Sequence, residues 1–255
     1  MYHYAYRPHL HGFSFLTSTG RAQTKQSSLK VALVQAQLAW GNVDANLEAF
    51  DRRIRQCTNC DLIVFPELFT SGCEMKKRNA QEKADLKDLV AAQYPRIIQY
   101  MQQWARETQA LIIGSTIYKE ENLYFNRLLA VFPDGKYQIY DKHNCFKKGS
   151  LIFTWKGHRF SPYICYDLRF PDWSRNQDEY DTAIYIANWP ESRQSDWEKL
   201  LQERALENQV NVIAVNCVGT DSVYQGGSRL LNADGEIVAQ CPDNEETVLI
   251  GELKQ

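Results

Sequence analysis

Cys165, one of seven cysteines in the chain, stands where an apolar stretch at 158–164 gives way to a polar segment able to start a helix. A thiol at such a position lies near the positive end of the helix dipole, which favours the thiolate and makes the sulfur a nucleophile at neutral pH. Cysteine is also a common small hydrophobe in protein cores. Cys165 is therefore a candidate nucleophile whose interpretation depends on what lies beside it.

An acid and a cation stand at matching positions, at or just beyond the ends of predicted strands. Glu67 ends the strand predicted at 61–67, and Lys142 follows the one predicted at 136–141. Because sites in α/β proteins gather at strand ends, we expect these two side chains and Cys165 to converge. A carboxylate can then take the thiol proton, the sulfur can attack a carbonyl or nitrile carbon, and an ammonium can stabilise the oxygen that becomes negative. Taken singly, the three residues would be a solvated strand end, a surface charge and a core cysteine.

The elements that must position these residues alternate between β-rich runs and helical periods. Apolar residues at three- and four-residue steps predict helices at 43–54, 86–105 and 195–208. The helical pattern at 86–105 should bend or break around Pro95. Strands are predicted at 30–37, 61–67, 111–118, 124–132, 136–141, 158–164, 182–187 and 210–216, with Asp-Gly hairpin turns at 134–135 and 234–235. This order predicts an α/β fold class with mixed sheets flanked by helices, either as one doubly wound sheet or as two sheets packed face to face.

The composition sets limits on the partners. The chain has 255 residues, of which 44% are hydrophobic and 24% charged, enough for one large core. A formal net charge of -2 gives no field that would attract nucleic acid or an anionic membrane, and the apolar runs are too short to cross a bilayer. We therefore expect a small-molecule partner, no nucleic acid and no membrane.

The number of cysteines indicates a reducing compartment and not a disulfide-stabilised fold. Seven is an odd number, in a chain too large to need disulfides, so a reducing, cytoplasmic setting is expected. Cys57 and Cys60 have CxxC spacing, but no second pair or nearby histidine completes a zinc site. We expect no metal and no cofactor.

Residues 1–28 differ from the predicted domain at 29–255. Tyrosine, histidine, serine and threonine dominate the segment, and no acidic residue precedes Asp44. A targeting sequence for organelle import and a disordered extension explain this composition equally well.

Several motifs follow one another in a fixed order. They are VFPELFTSG at 64–72, YDK at 140–142, CYDLRFPDWSRN at 165–176, ANWPESR at 187–193 and QERALENQ at 202–209 with VNCVG at 215–219. With these motifs, the chain from about Lys30 to its C-terminus resembles the nitrilase superfamily of carbon–nitrogen hydrolases, most closely the omega-amidase branch. The resemblance implies a four-layer α-β-β-α sandwich of two mixed β-sheets, usually paired into a homodimer.

The same resemblance implies roles for individual residues. Glu67 would be the general base, Lys142 the oxyanion stabiliser and Cys165 the acyl-forming nucleophile, with the Tyr166 backbone N–H completing the oxyanion hole. Asn188 and Trp189 follow the end of the strand predicted at 182–187, and we expect both to contact the substrate. The alternative for Trp189 is a role in packing only.

Asp167 and Arg169 follow the nucleophile closely. We interpret them as an ion pair that fixes this turn, with an ordinary first-turn acid and surface base as the alternative.

The activity implied is hydrolysis of the terminal amide of a small dicarboxylic or 2-oxo acid monoamide, such as 2-oxoglutaramate or succinamate. Water would attack a Cys165 thioester after ammonia leaves. One departure leaves an alternative open, because no aspartate or glutamate occurs from Lys142 to Cys165, where family members generally have a longer loop with a second, lysine-supporting glutamate. A lysine displaced by about 1 Å can cost on the order of a hundredfold in rate. The alternative is a catalytically impaired homologue that acts in metabolite binding or assembly.

Overall fold

The computed structural model of the protein describes residues 28–72, 79–142, 151–219 and 224–254. The α-helices are α1 (Val43–Ile54), α2 (Ala80–Ala92), α3 (Tyr94–Thr108) and α4 (Gln194–Asn208). The strands are β1 (Ser28–Gln35), β2 (Leu62–Val64), β3 (Leu111–Glu120), β4 (Leu123–Val131), β5 (Tyr137–Asp141), β6 (Phe153–Trp155), β7 (His158–Ile164), β8 (Thr182–Ala187), β9 (Asn211–Asn216), β10 (Val218–Gly219), β11 (Tyr224–Gln225), β12 (Arg229–Leu231), β13 (Ile237–Gln240) and β14 (Thr247–Lys254).

The long strands form two six-stranded mixed sheets. The first has the order β14-β1-β2-β3-β4-β5, and the second the order β13-β12-β9-β8-β7-β6. Each sheet has a parallel centre, β1-β2-β3 in one and β7-β8-β9 in the other, with antiparallel strands on both sides. The parallel strands are almost wholly buried, as strands covered on both faces must be.

Three apolar clusters hold the layers together. The central cluster lies between the sheets and includes Val31, Leu33, Val64, Ile113 and Leu128 from the first sheet and Ile164, Ile184, Ile186, Ile213 and Val215 from the second. A second cluster packs α1 and α3 on the outer face of the first sheet, and a third packs α4 on the outer face of the second. The resulting order is helix, sheet, sheet, helix, which confirms the four-layer α-β-β-α sandwich and decides against a single doubly wound sheet.

Local signals explain where the helices begin. Helix α1 starts after Asn42, whose side chain accepts a hydrogen bond from Ala45 N at 3.0 Å. The region predicted as one bent helix forms two helices, which meet at Gln93. Pro95 lies in the first turn of α3, where a missing N–H removes no helical hydrogen bond.

Two predictions concern segments that the structure does not describe. Residues 1–27, including nearly all of the predicted extension, and the segment 143–150 are not described. Within the described ranges, no helix combines the length and apolar character needed to cross a bilayer.

Candidate active site

Glu67 lies three residues beyond the end of β2 and is only 3% exposed. Its Oε1 accepts hydrogen bonds from Lys142 Nζ and Asn126 Nδ2, both at 2.7 Å, and its Oε2 accepts one from the Asn188 backbone N–H at 2.8 Å. The next residue, Leu68, has a left-handed φ of 47°. Three donors from both sheets therefore fix one buried carboxylate in a single orientation, which is the positioning that a general base requires.

Lys142 follows β5 and forms an ion pair with Glu67 across the first sheet. Its backbone N–H donates to Asn126 O at 2.9 Å, so the lysine continues the β4–β5 pairing by one position. Burial alone would lower the pKa of Lys142, but the Glu67 carboxylate, Cys165 and Asp167 together raise it above its ordinary value. The side chain is thus a fixed ammonium inside the site.

The strand that carries Lys142 is also anchored on its other face. One position earlier, Asp141 accepts two hydrogen bonds from Arg127 on β4, at 2.7 and 2.8 Å. Adjacent side chains of a strand point to opposite faces, so this ion pair and the lysine lie on opposite sides of the sheet. The bidentate pair fixes the end of β5 without occupying the site.

Cys165 directly follows β7 in the second sheet. It has a φ of 51°, a conformation that non-glycine residues seldom adopt, and it opens a short 3₁₀ helix at Cys165–Arg169. The Glu67 carboxylate and the Asn188 backbone N–H both interact with the sulfur. The structure therefore brings the predicted acid, cation and thiol together from two sheets, although they are far apart in sequence.

The expected resting thiolate is wrong. Burial, and next the charge of Glu67, raise the pKa of the Cys165 thiol well above its ordinary value, although the Lys142 ammonium and the Asn188 N–H lower it. The helix that was to stabilise a thiolate is a five-residue 3₁₀ helix, too short to supply the dipole of an α-helix. Cys165 rests as a thiol, and its activation depends on proton transfer to a base.

Two of the other described cysteines, Cys57 and Cys60, are buried in the core and do not lie beside Glu67 and Lys142. Burial raises the pKa of Cys57 to about 12 and that of Cys60 to about 11. Both belong to the apolar cluster under α1. Among the described residues, no group of three or more histidine, cysteine, aspartate or glutamate side chains is arranged to hold a metal ion.

The residues predicted to contact substrate occupy different surroundings. Tyr166 exposes 48% of its surface, and its backbone N–H lies in the first turn of the 3₁₀ helix, where such groups have no intrahelical acceptor. Asn188 is 6% exposed, and neither polar atom of its side chain has a hydrogen-bond partner among the described residues. Trp189 is buried against Trp197 with ring centroids 5.5 Å apart, and its indole N–H donates to Arg193 O at 2.7 Å. Asn188 thus has free hydrogen-bonding capacity beside the thiol, whereas the tryptophan has the contacts of a packing residue.

The expected ion pair between Asp167 and Arg169 is not formed. Arg169 donates to Asp196 at 2.6 Å and lies over the Trp189 ring at 5.0 Å. Asp167 instead accepts a hydrogen bond from the backbone N–H of Ile164 at 2.9 Å. The 3₁₀ geometry directs these two side chains to different neighbours, so Asp167 holds the turn through a backbone hydrogen bond and not through an ion pair with Arg169.

Asn126 was not identified from the sequence, although it donates a hydrogen bond to the Glu67 carboxylate. Two signals lead to it: the Asp134-Gly135 turn, which sets the β4–β5 register, and Lys142, which lies opposite Asn126 in that register. A residue opposite the lysine must point to the same face and can reach the same acid.

We expect Asn126→Ala to lower kcat about tenfold, because Glu67 loses one of its two Oε1 donors and gains freedom to turn away from the thiol. The measurement is the steady-state rate of turnover. Asn211→Ala is the matched control. Asn211 is also buried, but it begins β9 and its side chain donates a hydrogen bond to Lys254 O, away from Glu67. An unchanged kcat in the Asn126 variant, or an equal loss in both variants, would contradict this role.

The family model described as carbon-nitrogen hydrolase matches residues 30–255. The omega-amidase YafV of Yersinia enterocolitica is 40% identical over 241 residues, which cover 89% of this chain and 90% of that protein. The omega-amidase YafV of Escherichia coli (strain K12) is 38% identical over 239 residues, with 88% and 90% covered.

Two further similarities are informative. The 2-oxoglutaramate amidase of Bacillus subtilis (strain 168) is 26% identical over 245 residues, which cover 88% of this chain and 90% of that protein. Among solved structures, XC1258 from Xanthomonas campestris, a CN-hydrolase superfamily protein with an arsenic adduct in the active site, matches with a TM-score of 0.82 and 30% identity. That alignment covers 89% of this chain and 91% of the other.

Proposed function

Because the chain belongs to the carbon–nitrogen hydrolase family, in the omega-amidase branch of the nitrilase superfamily, and is an amidase, we propose that it hydrolyses the terminal amide of a small dicarboxylic or 2-oxo acid monoamide. Substrates of the 2-oxoglutaramate or succinamate type are the ones we expect. The products are ammonia and the free dicarboxylic acid.

The first half of the reaction forms a thioester. Glu67 takes the proton of the Cys165 thiol as the sulfur attacks the amide carbon. The carbonyl oxygen becomes negative and is stabilised by the Lys142 ammonium and the Tyr166 backbone N–H. Glu67 then passes its proton to the amide nitrogen, the C–N bond breaks, and ammonia leaves.

The second half regenerates the thiol. Water enters where ammonia left and gives a proton to Glu67 as its oxygen attacks the thioester carbon. The same ammonium and N–H stabilise the second oxyanion. The C–S bond then breaks, the proton returns to sulfur, and the acid is released. We assign Asn188, whose side-chain amide has no partner among the described residues, to orient the substrate amide or acid group.

One observation carries this mechanism, namely that Glu67 contacts both the ammonium and the thiol while it is held by backbone and side-chain donors from two sheets. A base that is fixed in this way loses little conformational entropy when it accepts the proton. The raised pKa of the Cys165 thiol agrees with activation by Glu67 during attack, since a resting thiolate would need no base.

Support for the substrate class comes from the relatives. The two YafV proteins are named omega-amidases, and the more distant Bacillus protein is named a 2-oxoglutaramate amidase. Such substrates carry a carboxylate at one end and an amide at the other. We expect selection for the carboxylate end as well as reaction at the amide.

The test is ammonia release by the purified full chain from succinamate, from 2-oxoglutaramate and from butyramide, which lacks the carboxylate. We expect kcat/KM for the two acids to exceed that for butyramide at least about a hundredfold, because a charged hydrogen bond in a desolvated site discriminates strongly against a substrate that cannot form it. Hydroxylamine added during turnover should yield the acyl hydroxamate, as expected for a trapped thioester. Equal rates with butyramide would exclude carboxylate selection.

The alternative hypothesis, a catalytically impaired homologue, predicts that no amide is hydrolysed. Absence of ammonia release from every amide, with the acids still bound, would favour metabolite binding or assembly. Residues 143–150, which include most of the segment that precedes β6, lie outside the described part of the chain. A homodimer and a cytoplasmic location stay predictions, and the native mass in solution tests the first.

A further inference from the structure

Tyr140 joins the strand of Lys142 to the turn of Cys165. It lies on β5 two residues before the lysine and is 5% exposed. Its hydroxyl donates a hydrogen bond to Asp167 Oδ2 at 2.8 Å. The same oxygen accepts the backbone N–H of Ile164, the residue before the nucleophile, at 2.9 Å. One carboxylate oxygen therefore bridges the two sheets next to the site.

Asp167 is buried among the charges of that site, with 1% of its surface exposed. The ionisable groups that face it are Tyr140 on β5, Lys142 just after β5, Glu67 in the loop after β2, and Tyr163 on β7. Burial, with a smaller contribution from the Glu67 charge, raises the pKa of Asp167 above its ordinary value, although its two hydrogen bonds and the Lys142 ammonium lower it. Asp167 in turn helps to raise the pKa of Lys142.

The reaction moves the negative charge that faces Lys142, so a second charge that stays in place helps to hold the ammonium. When Glu67 takes the thiol proton it becomes neutral, and the negative charge passes to the sulfur and then to the carbonyl oxygen. A buried ammonium whose partner changes in this way is costly to keep charged and in position without a further fixed charge. No aspartate or glutamate occurs between Lys142 and Cys165 in the sequence to compensate it.

We propose that Asp167 is a positioning residue that supplies this second charge and, through Tyr140, fixes the separation between Lys142 and the Cys165 turn. The proposal rests on the proposed function, because it assigns Asp167 a task in that reaction. It gives a reason why the chain can keep a charged lysine without an acid in the connecting segment.

Tyr140→Phe is the sharpest variant, because it removes one hydroxyl and keeps the buried ring. We expect kcat to fall about tenfold with KM little changed. Tyr180→Phe is the matched control. Tyr180 is 3% exposed, and its hydroxyl donates a hydrogen bond to the Ser174 carbonyl, outside the site. Both variants should lose similar thermal stability, while only the first should lose rate.

The pH dependence separates positioning from simple structural support. Activity needs ionised Asp167, so it is lost as the pH falls through the pKa of this carboxyl. Since the Tyr140 hydroxyl lowers that pKa, its removal moves the acidic limb of the kcat profile to higher pH. Tyr180→Phe should leave the limb in place. Asp167→Asn keeps the shape without the charge, and we expect a loss of about a hundredfold.

Alkylation of Cys165 by iodoacetamide, followed by peptide mapping, tests the inference without turnover. The Lys142 ammonium lowers the pKa of the thiol, so a loosened lysine in Tyr140→Phe should shift the alkylation midpoint to higher pH. Failure of the unmutated protein to release ammonia would remove the proposed function and leave this readout intact. The role of Asp167 is overturned if Tyr140→Phe matches Tyr180→Phe in kcat, acidic limb and alkylation midpoint alike.

Discussion

Replacing Cys165 with alanine is expected to lower kcat for succinamate by about 10⁴-fold or more. In the proposed mechanism the Cys165 thiol forms the acyl bond, and removal of a covalent nucleophile eliminates the two-step route itself. The side chain is small and the half-buried position should accept alanine, so the variant should fold and keep most of its affinity for substrate. Ammonia release in a coupled assay measures the rate, and calorimetric titration with succinamate measures the retained binding.

Cys60→Ala provides the matched control for that variant. Cys60 is also a free cysteine, is 4% exposed, and lies in the cluster under α1 instead of the site. We expect its kcat to stay within about twofold of that of the unmutated protein, with a modest loss of thermal stability from the small cavity. Residual release in Cys165→Ala at the rate of the unmutated protein would show that the thiol is not the nucleophile.

Glu67→Gln is expected to lower kcat about 10³-fold, the second largest effect. The amide keeps the size of the side chain, but it cannot accept the thiol proton, and general bases contribute on the order of 10²- to 10⁴-fold. It also removes the charge that most strongly supports the Lys142 ammonium, so the pKa of the lysine should fall. Unfolding free energy should drop by roughly 3 kcal/mol, as happens when one partner of a buried ion pair is lost.

The measurements are kcat, the midpoint of chemical denaturation, and the pH profile of Cys165 alkylation. Glu48→Gln is the control, because Glu48 forms an ion pair with Arg52 at 3.0 Å on the exposed face of α1, where such pairs contribute little. It should change neither rate nor stability measurably. A Glu67 variant that keeps its rate would place the base elsewhere and end the mechanism proposed above.

The locations of the elements followed from the sequence to a large extent. Helix α1 at Val43–Ile54 and strands β7 and β8 have the predicted bounds, because hydrophobic period and flanking caps act over a few residues. The same local signals put Glu67, Lys142 and Cys165 at strand ends. One local expectation failed: the segment after Cys165 was expected to start an ordinary helix, and it forms only short 3₁₀ turns.

The partners of each site residue could not be predicted in this way. Asn126 donates to Glu67 because a hairpin register places it opposite Lys142, and Asp167 bonds to Tyr140 only because two sheets stack face to face. Such contacts depend on how distant strands pair and pack, which no local window encodes.

By itself, then, the sequence determined which side chains stand at strand ends, and its motifs indicated a carbon–nitrogen hydrolase. Only the tertiary structure decided that two sheets form the sandwich, that Glu67 lies between Lys142 and Cys165, and that the sulfur rests as a thiol. The physical reason is that a protonation state depends on burial and on charges from other strands, and both exist only once the sheets have packed.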